Sequence, residues 1–267
     1  PSVPDSVGFG GPFVATLEGP DGDQQLLVAG GANFPEAAPW EGGAKVWYAD
    51  TWVFDGEAWA AGPPLPEPRA YGAVVHLGGR ALLIGGGDSR RATSEVLIAD
   101  VDGSGAVRFS AGPSLPAPSQ FLAAGLVDGL VVVLGAQRSA EASDLVRATW
   151  ILDPEDMETG WIESAPFPGR AGLKFVAASQ RNAQGKEALF VYSGEIPGQE
   201  PESLPDGSRF LPVSNELWSF ESDRRAWTQH RSPAAPRSGA HGLGLGRSAG
   251  LAWPTGQSHI IFLSGVA

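Results

Sequence analysis

The chain has 267 residues, 42% of them hydrophobic, with 37 glycines and 23 prolines spread between apolar runs, which excludes a disordered polymer and suits many tight turns between short strands. Its 18 basic against 30 acidic residues give a formal charge of -12 that repels phosphate backbones, and no basic stripe longer than Arg90-Arg91 interrupts it, so nucleic acid is excluded as a partner. The absence of cysteine removes disulfides, thiol catalysis and thiolate metal sites.

From the N-terminus, four short apolar segments separated by turn residues fall at residues 10–17, 25–31, 50–55 and 58–59, as expected for four antiparallel strands with the innermost first. A second set follows Arg69, at residues 71–76, 81–85, 95–100 and 107–109. A third spans residues 121–127, 130–135, 149–153 and 161–162. The fourth begins at Arg170 and continues through residues 173–178, 188–194, 216–220 and 226–228. A fifth starts at Arg237 and reaches residues 258–265. Between sets, Pro64-Leu65-Pro66, Pro113-Ser114-Leu115-Pro116 and Pro166-Phe167-Pro168 follow the aromatic residues Trp59, Phe109 and Trp161, spaced 50 and 52 residues apart. Each phrase leads into an apolar run that ends on glycine.

A period of this length, with late aromatic residues and glycines after the second strand, predicts an all-β fold, a kelch-type β-propeller. Its blades cover residues 10–62, 69–112, 119–163, 170–230 and, in part, 237–265, within one domain. The nine tryptophans suit the wedges between blades, and strict in-out alternation is expected only on outer strands. Four blades and half of a fifth cannot close a ring, so further chain beyond Ala267 is expected; an open end would favour self-association. No run reaches the length of a membrane-spanning helix, and membrane insertion is not expected. Cysteine-free composition fits either side of a membrane; a bacterial periplasmic or secreted location is expected, with the cytoplasm the alternative.

Two insertions break the pattern, at residues 31–50 and 195–215, each directly after the glycine that ends a second strand. Long loops on a rigid repeat scaffold are where specificity is usually written. The first reads Ala29-Gly30-Gly31-Ala32-Asn33-Phe34-Pro35, then Pro39-Trp40-Glu41-Gly42-Gly43-Ala44-Lys45-Val46-Trp47-Tyr48-Ala49-Asp50. Together with residues 65–72, Pro168-Gly169-Arg170 and Gln257-Ser258-His259-Ile260, it closely resembles the signature of the cyclically permuted mutarotase family, kelch propellers related to N-acetylneuraminate epimerase. The resemblance implies six blades when complete and interconversion of the anomers of a sialic acid, a small anionic sugar.

Arg69, Arg170 and Arg237 read as one repeat position, directly before the innermost strand, with Ser119 in the third blade. Equivalent positions of a propeller face one axis, so three guanidiniums are expected to meet a carboxylate through their planar forks, or else to tether the turns before them. Mutarotation needs a proton taken from the anomeric hydroxyl and one delivered to the ring oxygen, with no metal or redox cofactor. Glu195, at the head of the second insertion, is the first candidate acid/base. Glu41 is the second, unless it pins its own loop through backbone amides. Asn33 suits an N-acetyl carbonyl or a turn; Trp40 suits the apolar face of a sugar or loop packing. Tyr71 and Gln120 are further candidates for contact with substrate.

The four histidines, His76, His230, His241 and His259, lack zinc-site spacing, and the glycine clusters lack the Lys-Ser/Thr of a phosphate loop. Two other functions fit a propeller. A sialidase also grips carboxylate with arginines, but its Ser-x-Asp-x-Gly-x-Thr-Trp turns are absent. A non-catalytic kelch module would bind a glycan or a protein on its rim.

Overall fold

The computed structural model describes residues 1–139, 144–170, 172–182, 184–196, 202–203, 209–210, 214–231, 251–254 and 260–263. The chain divides into two compact units, Pro1–Gln120 and Phe121–Ala267.

In the first unit, β1 (Phe13–Glu18) and β2 (Gln24–Ala29) lead into the insertion, which holds a small hairpin of β3 (Ala32–Asn33) and β4 (Val46–Trp47) around a 3-10 turn at Pro39–Glu41. β5 (Thr51–Phe54) and β6 (Trp59–Ala61) complete a four-stranded sheet ordered β1-β2-β5-β6. The second blade is β7 (Ala73–Leu77), β8 (Arg80–Ile84), β9 (Val96–Val101) and β10 (Val107–Ala111), in sequential order. β1 alternates strictly although it is an innermost strand, contrary to the expectation from sequence. Phe13, Ala15 and Leu17 pack with Ala81, Leu83, Leu97 and Ala99 of the second blade, while Val14 on the other face is 46% exposed. The face of β1 that meets the neighbouring blade is apolar and buried, and its other face is exposed.

In the second unit, β11 (Ala123–Val127), β12 (Leu130–Leu134), β13 (Thr149–Leu152) and β14 (Ile162–Ser164) form one sheet. β15 (Val176–Arg181) and β16 (Glu187–Tyr192) open the next blade, and β17 (Glu202–Ser203) pairs with β18 (Arg209–Phe210) inside the second insertion. β19 (Leu217–Glu221) and β20 (Ala226–His230) close that blade in the order β15-β16-β19-β20. β21 (Leu251–Pro254) pairs with β22 (Ile260–Leu263) as the described part of the fifth. Arg237 and the strand expected directly after it lie outside the described residues. The core joins Val132, Leu134 and Ile151 to Leu189, Val191 and Phe220. Phe167, from the phrase Pro166-Phe167-Pro168, fills the wedge between them. Its ring meets Phe175, Trp218 and Trp227 at centroid distances of 5.5, 5.9 and 4.9 Å. Trp218 and Trp227 thus serve the inter-blade packing expected of the tryptophans.

Three inner strands begin later than the apolar runs suggest, at Ala73, Ala123 and Val176. The residues before them turn through left-handed backbone at Tyr71 (φ 63), Phe121 (φ 55) and Lys174 (φ 56), as does Gly11 (φ 63) before β1. Few side chains adopt that region, so the backbone must be held there by its partners. The N–H of Tyr71 donates to the Gly11 carbonyl at 2.8 Å, and the N–H of Lys174 donates to the Phe121 carbonyl at 3.1 Å. Each bond ties one blade to the next within its unit. Gly30 serves the same junction: its φ is 65, and a Cβ there would lie 2.3 Å from the Arg69 carbonyl oxygen.

Leu189 is fully buried at 0% exposure where the third and fourth blades meet. Leu189→Ala should lower unfolding free energy by about 2–5 kcal/mol, read as a lower urea midpoint with an unchanged slope.

Candidate functional site

The repeat register follows from isolated backbone bridges just outside the blades. Gly10 pairs with Ala32, Ala70 with Gly87, and Leu173 with Glu195. In each pair, the first residue stands three before an inner strand and the second follows the glycine turn after strand two. Ala32, Gly87 and Glu195 therefore share a repeat position, and so do Gly11, Tyr71, Phe121 and Lys174. Arg69 is equivalent to Ser119 and to Gly172, so Arg170 stands two residues out of register. This corrects the expectation that Arg69 and Arg170 are equivalent. The matching Arg-Ala pairs mislead because two more residues separate Arg170 from its inner strand.

In the second unit, Glu195 leaves the left-handed turn of Ser193 (φ 60) and Gly194 (φ 109). Its N–H donates to the Leu173 carbonyl, and its carbonyl accepts from the Gly172 N–H, both at 2.9 Å. The residue is 7% exposed. Lys174 Nζ donates to Glu195 Oε1 at 2.7 Å and stands 5.4 Å from the centroid of the Phe121 ring. Among the described residues, the second carboxylate oxygen of Glu195 has no partner. The outcome is a fixed, nearly buried carboxylate with a partly buried ammonium beside it. Sequence reasoning identified Glu195 and missed Lys174, although the chain has only three lysines, Lys45, Lys174 and Lys186. That scarcity was the available signal.

In the first unit, Lys45 Nζ lies 4.5, 5.2 and 5.7 Å from the ring centroids of Tyr71, Trp47 and Phe34. Tyr71, a candidate for contact with substrate, thus forms one wall of an aromatic cage around an ammonium. The cage rests on the inserted hairpin. Asn33 is buried, donates from Nδ2 to the Gly8 carbonyl at 2.8 Å and accepts the Tyr48 hydroxyl at 2.6 Å. Both ends of that amide are engaged in holding the loop. Glu41 accepts the Ala38 N–H at 3.2 Å from an exposed position, so its carboxylate pins its own turn. Trp40 is 85% exposed, and loop packing is not its use.

The arginines differ sharply in setting. Arg69 is 2% exposed, packs 5.4 Å from the Phe13 ring and places Nη1 3.0 Å from Glu95 Oε2. That approach is an ion pair without good hydrogen-bond geometry, and all three guanidinium nitrogens are buried without a hydrogen bond. Burial pushes the guanidinium below its ordinary value, opposed by the Glu95 and Glu67 carboxylates. The space beside it, lined by Glu67, Arg91, Thr93 and Glu95, admits about one water and no sugar. Arg170 is exposed; its N–H donates to Glu216 Oε2 at 2.8 Å, and its carbonyl accepts from Arg147 at 3.3 Å. Gln120 is 5% exposed and approaches Gly87, where a Cβ would lie 2.9 Å from its Oε1. Among the described residues, no group of three or more His, Cys, Asp or Glu is placed to hold a metal, and no helix is long and apolar enough to cross a membrane.

No family model matches the sequence. Two curated relatives, the N-acetylneuraminate epimerases of Brucella suis and Brucella melitensis biotype 1, are each 40% identical to the chain over 88 residues. The match covers 29% of this chain and spans 23% of the length of those relatives. A solved structure titled "Structure of YjhT" superposes with a TM-score of 0.61 at 14% identity, covering 98% of this chain and 73% of that one. The fold is a β-propeller related to that of the N-acetylneuraminate epimerase family.

Removing the Asn33 amide leaves the half-buried Gly8 carbonyl and Tyr48 hydroxyl without these partners. Asn33→Ala should cost about 1–3 kcal/mol of stability, whereas Trp40→Ala should stay within about 0.5 kcal/mol. Thermal or chemical denaturation of the two variants distinguishes these roles.

Proposed function

We propose that the protein is a mutarotase that interconverts the α and β anomers of N-acetylneuraminic acid or a related sialic acid, on a kelch-type propeller of six blades when complete. The observation that carries this reading is the Glu195–Lys174 pair, a nearly buried carboxylate held at 2.7 Å by an ammonium beside the head of an insertion. The names of the Brucella relatives, N-acetylneuraminate epimerases, supply the substrate class.

Opening of a cyclic sialic acid breaks the bond between the anomeric carbon and the ring oxygen. The anomeric hydroxyl loses its proton, the ring oxygen gains one, and the ketone formed turns about its adjacent carbon–carbon bond. Closure on the opposite face reverses both transfers, so no atom or electron is gained or lost. Glu195 takes the anomeric proton through its second oxygen and hands it to the ring oxygen, and on closure it carries a proton back the other way, so the carboxylate is regenerated after each transfer. Lys174 fixes the carboxylate through the other oxygen. Its ammonium offsets the Glu195 charge, so the pair adds no repulsion toward an anionic sugar in a chain of net charge -12.

NMR of freshly dissolved N-acetylneuraminic acid tests the reading, because an enzyme speeds anomer exchange without changing the final ratio. Glu195→Gln should lose about 10²- to 10⁴-fold of the catalysed rate while retaining sugar binding by saturation transfer. A variant as fast as the wild type removes Glu195 from the chemistry. Wild-type protein that binds the sugar and leaves exchange at the solvent rate is a binding module.

A further inference from the structure

The lysines are few, and two of the three occupy related settings. Lys174 stands over Phe121, and Lys45 stands over Tyr71; those two rings share one repeat position and the same left-handed backbone. Lys186 lies elsewhere, on the hairpin turn between β15 and β16, paired with Asp223. Lys174 is neutralised by Glu195. Lys45 is not neutralised: among the described residues, no carboxylate lies within ion-pair distance of it, in a chain that carries 30 acidic residues. Three aromatic rings attract the ammonium and fix its position, but a ring face is a poor substitute for an oxygen acceptor. The N–H donors of a half-buried Lys45 are thus ordered in advance and left for an acceptor from outside the loop.

The loop that carries Lys45 is built to hold still. Ala32 pairs with Trp47 and Asn33 with Val46 across the hairpin, and the Tyr48 hydroxyl to Asn33 to Gly8 chain locks its base. A cation placed by such a frame loses little further freedom when it meets an anion. The arginines from which a carboxylate contact was expected do not offer this. Arg69 is buried beside Glu95, and Arg170 stands out of register.

We propose that Lys45, seated in the cage of Phe34, Trp47 and Tyr71, is a carboxylate-binding residue that selects acidic sugars. The choice of an acidic sugar as ligand rests on the mutarotase reading; the presence of an anion-binding ammonium rests on the cage alone. The carboxylate accepts a charge-assisted hydrogen bond from the Lys45 ammonium, and the cage walls present apolar faces beside it.

The test compares N-acetylneuraminic acid with its methyl ester, which keeps the sugar and removes the charge, titrated by NMR into wild type, Lys45→Met and Lys45→Arg. Wild type should bind the acid roughly tenfold or more tighter than the ester, and Lys45→Met should bind the two alike. Lys45→Arg should keep most of the preference, since the cage also accepts a guanidinium. A residue that only packed its loop would shift both affinities together and leave their ratio unchanged. The proposal is overturned by a Lys45→Met protein that retains the wild-type preference, or by wild type that shows none. Wild type that prefers the acid yet leaves anomer exchange at the solvent rate would sink the mutarotase reading and leave the Lys45 assignment standing.

Discussion

The candidate site depends on a backbone pairing just outside the blades. Where strand two of a blade ends, the chain passes through a glycine turn, and the next residue bridges back to the residue standing three before the inner strand. The bridge recurs as Gly10 with Ala32, Ala70 with Gly87, and Leu173 with Glu195. It fixes a side chain by main-chain hydrogen bonds alone, so its identity is free to vary from blade to blade. Alanine and glycine fill the position where nothing is needed, and glutamate occupies it where a carboxylate is held. Such a design separates stability, which rests in Phe13, Leu83, Leu189 and Phe220, from the choice of side chain at the bridge.

The same junction stores strain. Tyr71, Phe121 and Lys174 hold φ values of 63°, 55° and 56°, where a side chain costs on the order of 1–2 kcal/mol relative to glycine. Glycine occupies the equivalent place before β1, which demonstrates that the turn itself does not require a side chain. The three larger residues are instead those that make the ring and ammonium contacts described above: Tyr71 under Lys45, Phe121 under Lys174, and Lys174 against Glu195. Strained backbone that carries such contacts fits a binding role better than a packing one.

Much of the fold was legible in the sequence. The short apolar runs, the glycines that end second strands and the Pro-Leu-Pro phrases located four four-stranded sheets, and the two insertions appeared at the predicted places. The place of Glu195 was legible for the same reason, since it follows Ser193-Gly194 at the head of an insertion. The inner strands started late because a left-handed turn interrupts an apolar run without changing its composition, as at Tyr71-Gly72 and Phe121-Leu122. Arg170 looked equivalent to Arg69 because Ala follows both and a proline stands within two residues before each, and only the backbone bridges reveal the two-residue offset. Lys45 and Lys174 escaped notice because each depends on a partner distant in sequence, Tyr71 for one and Glu195 for the other. On sequence alone Asn33 suits ligand contact or loop structure; its two hydrogen bonds show how it supports the loop.

The account turns on one carboxylate, placed by the bridge to Leu173 and held by Lys174. A crystal structure of the protein soaked with N-acetylneuraminic acid measures its role most directly. The account predicts the anomeric hydroxyl within about 3 Å of a Glu195 carboxylate oxygen, the reach of a proton transfer. A sugar ordered elsewhere, with the Glu195–Lys174 pair untouched by ligand, would contradict it.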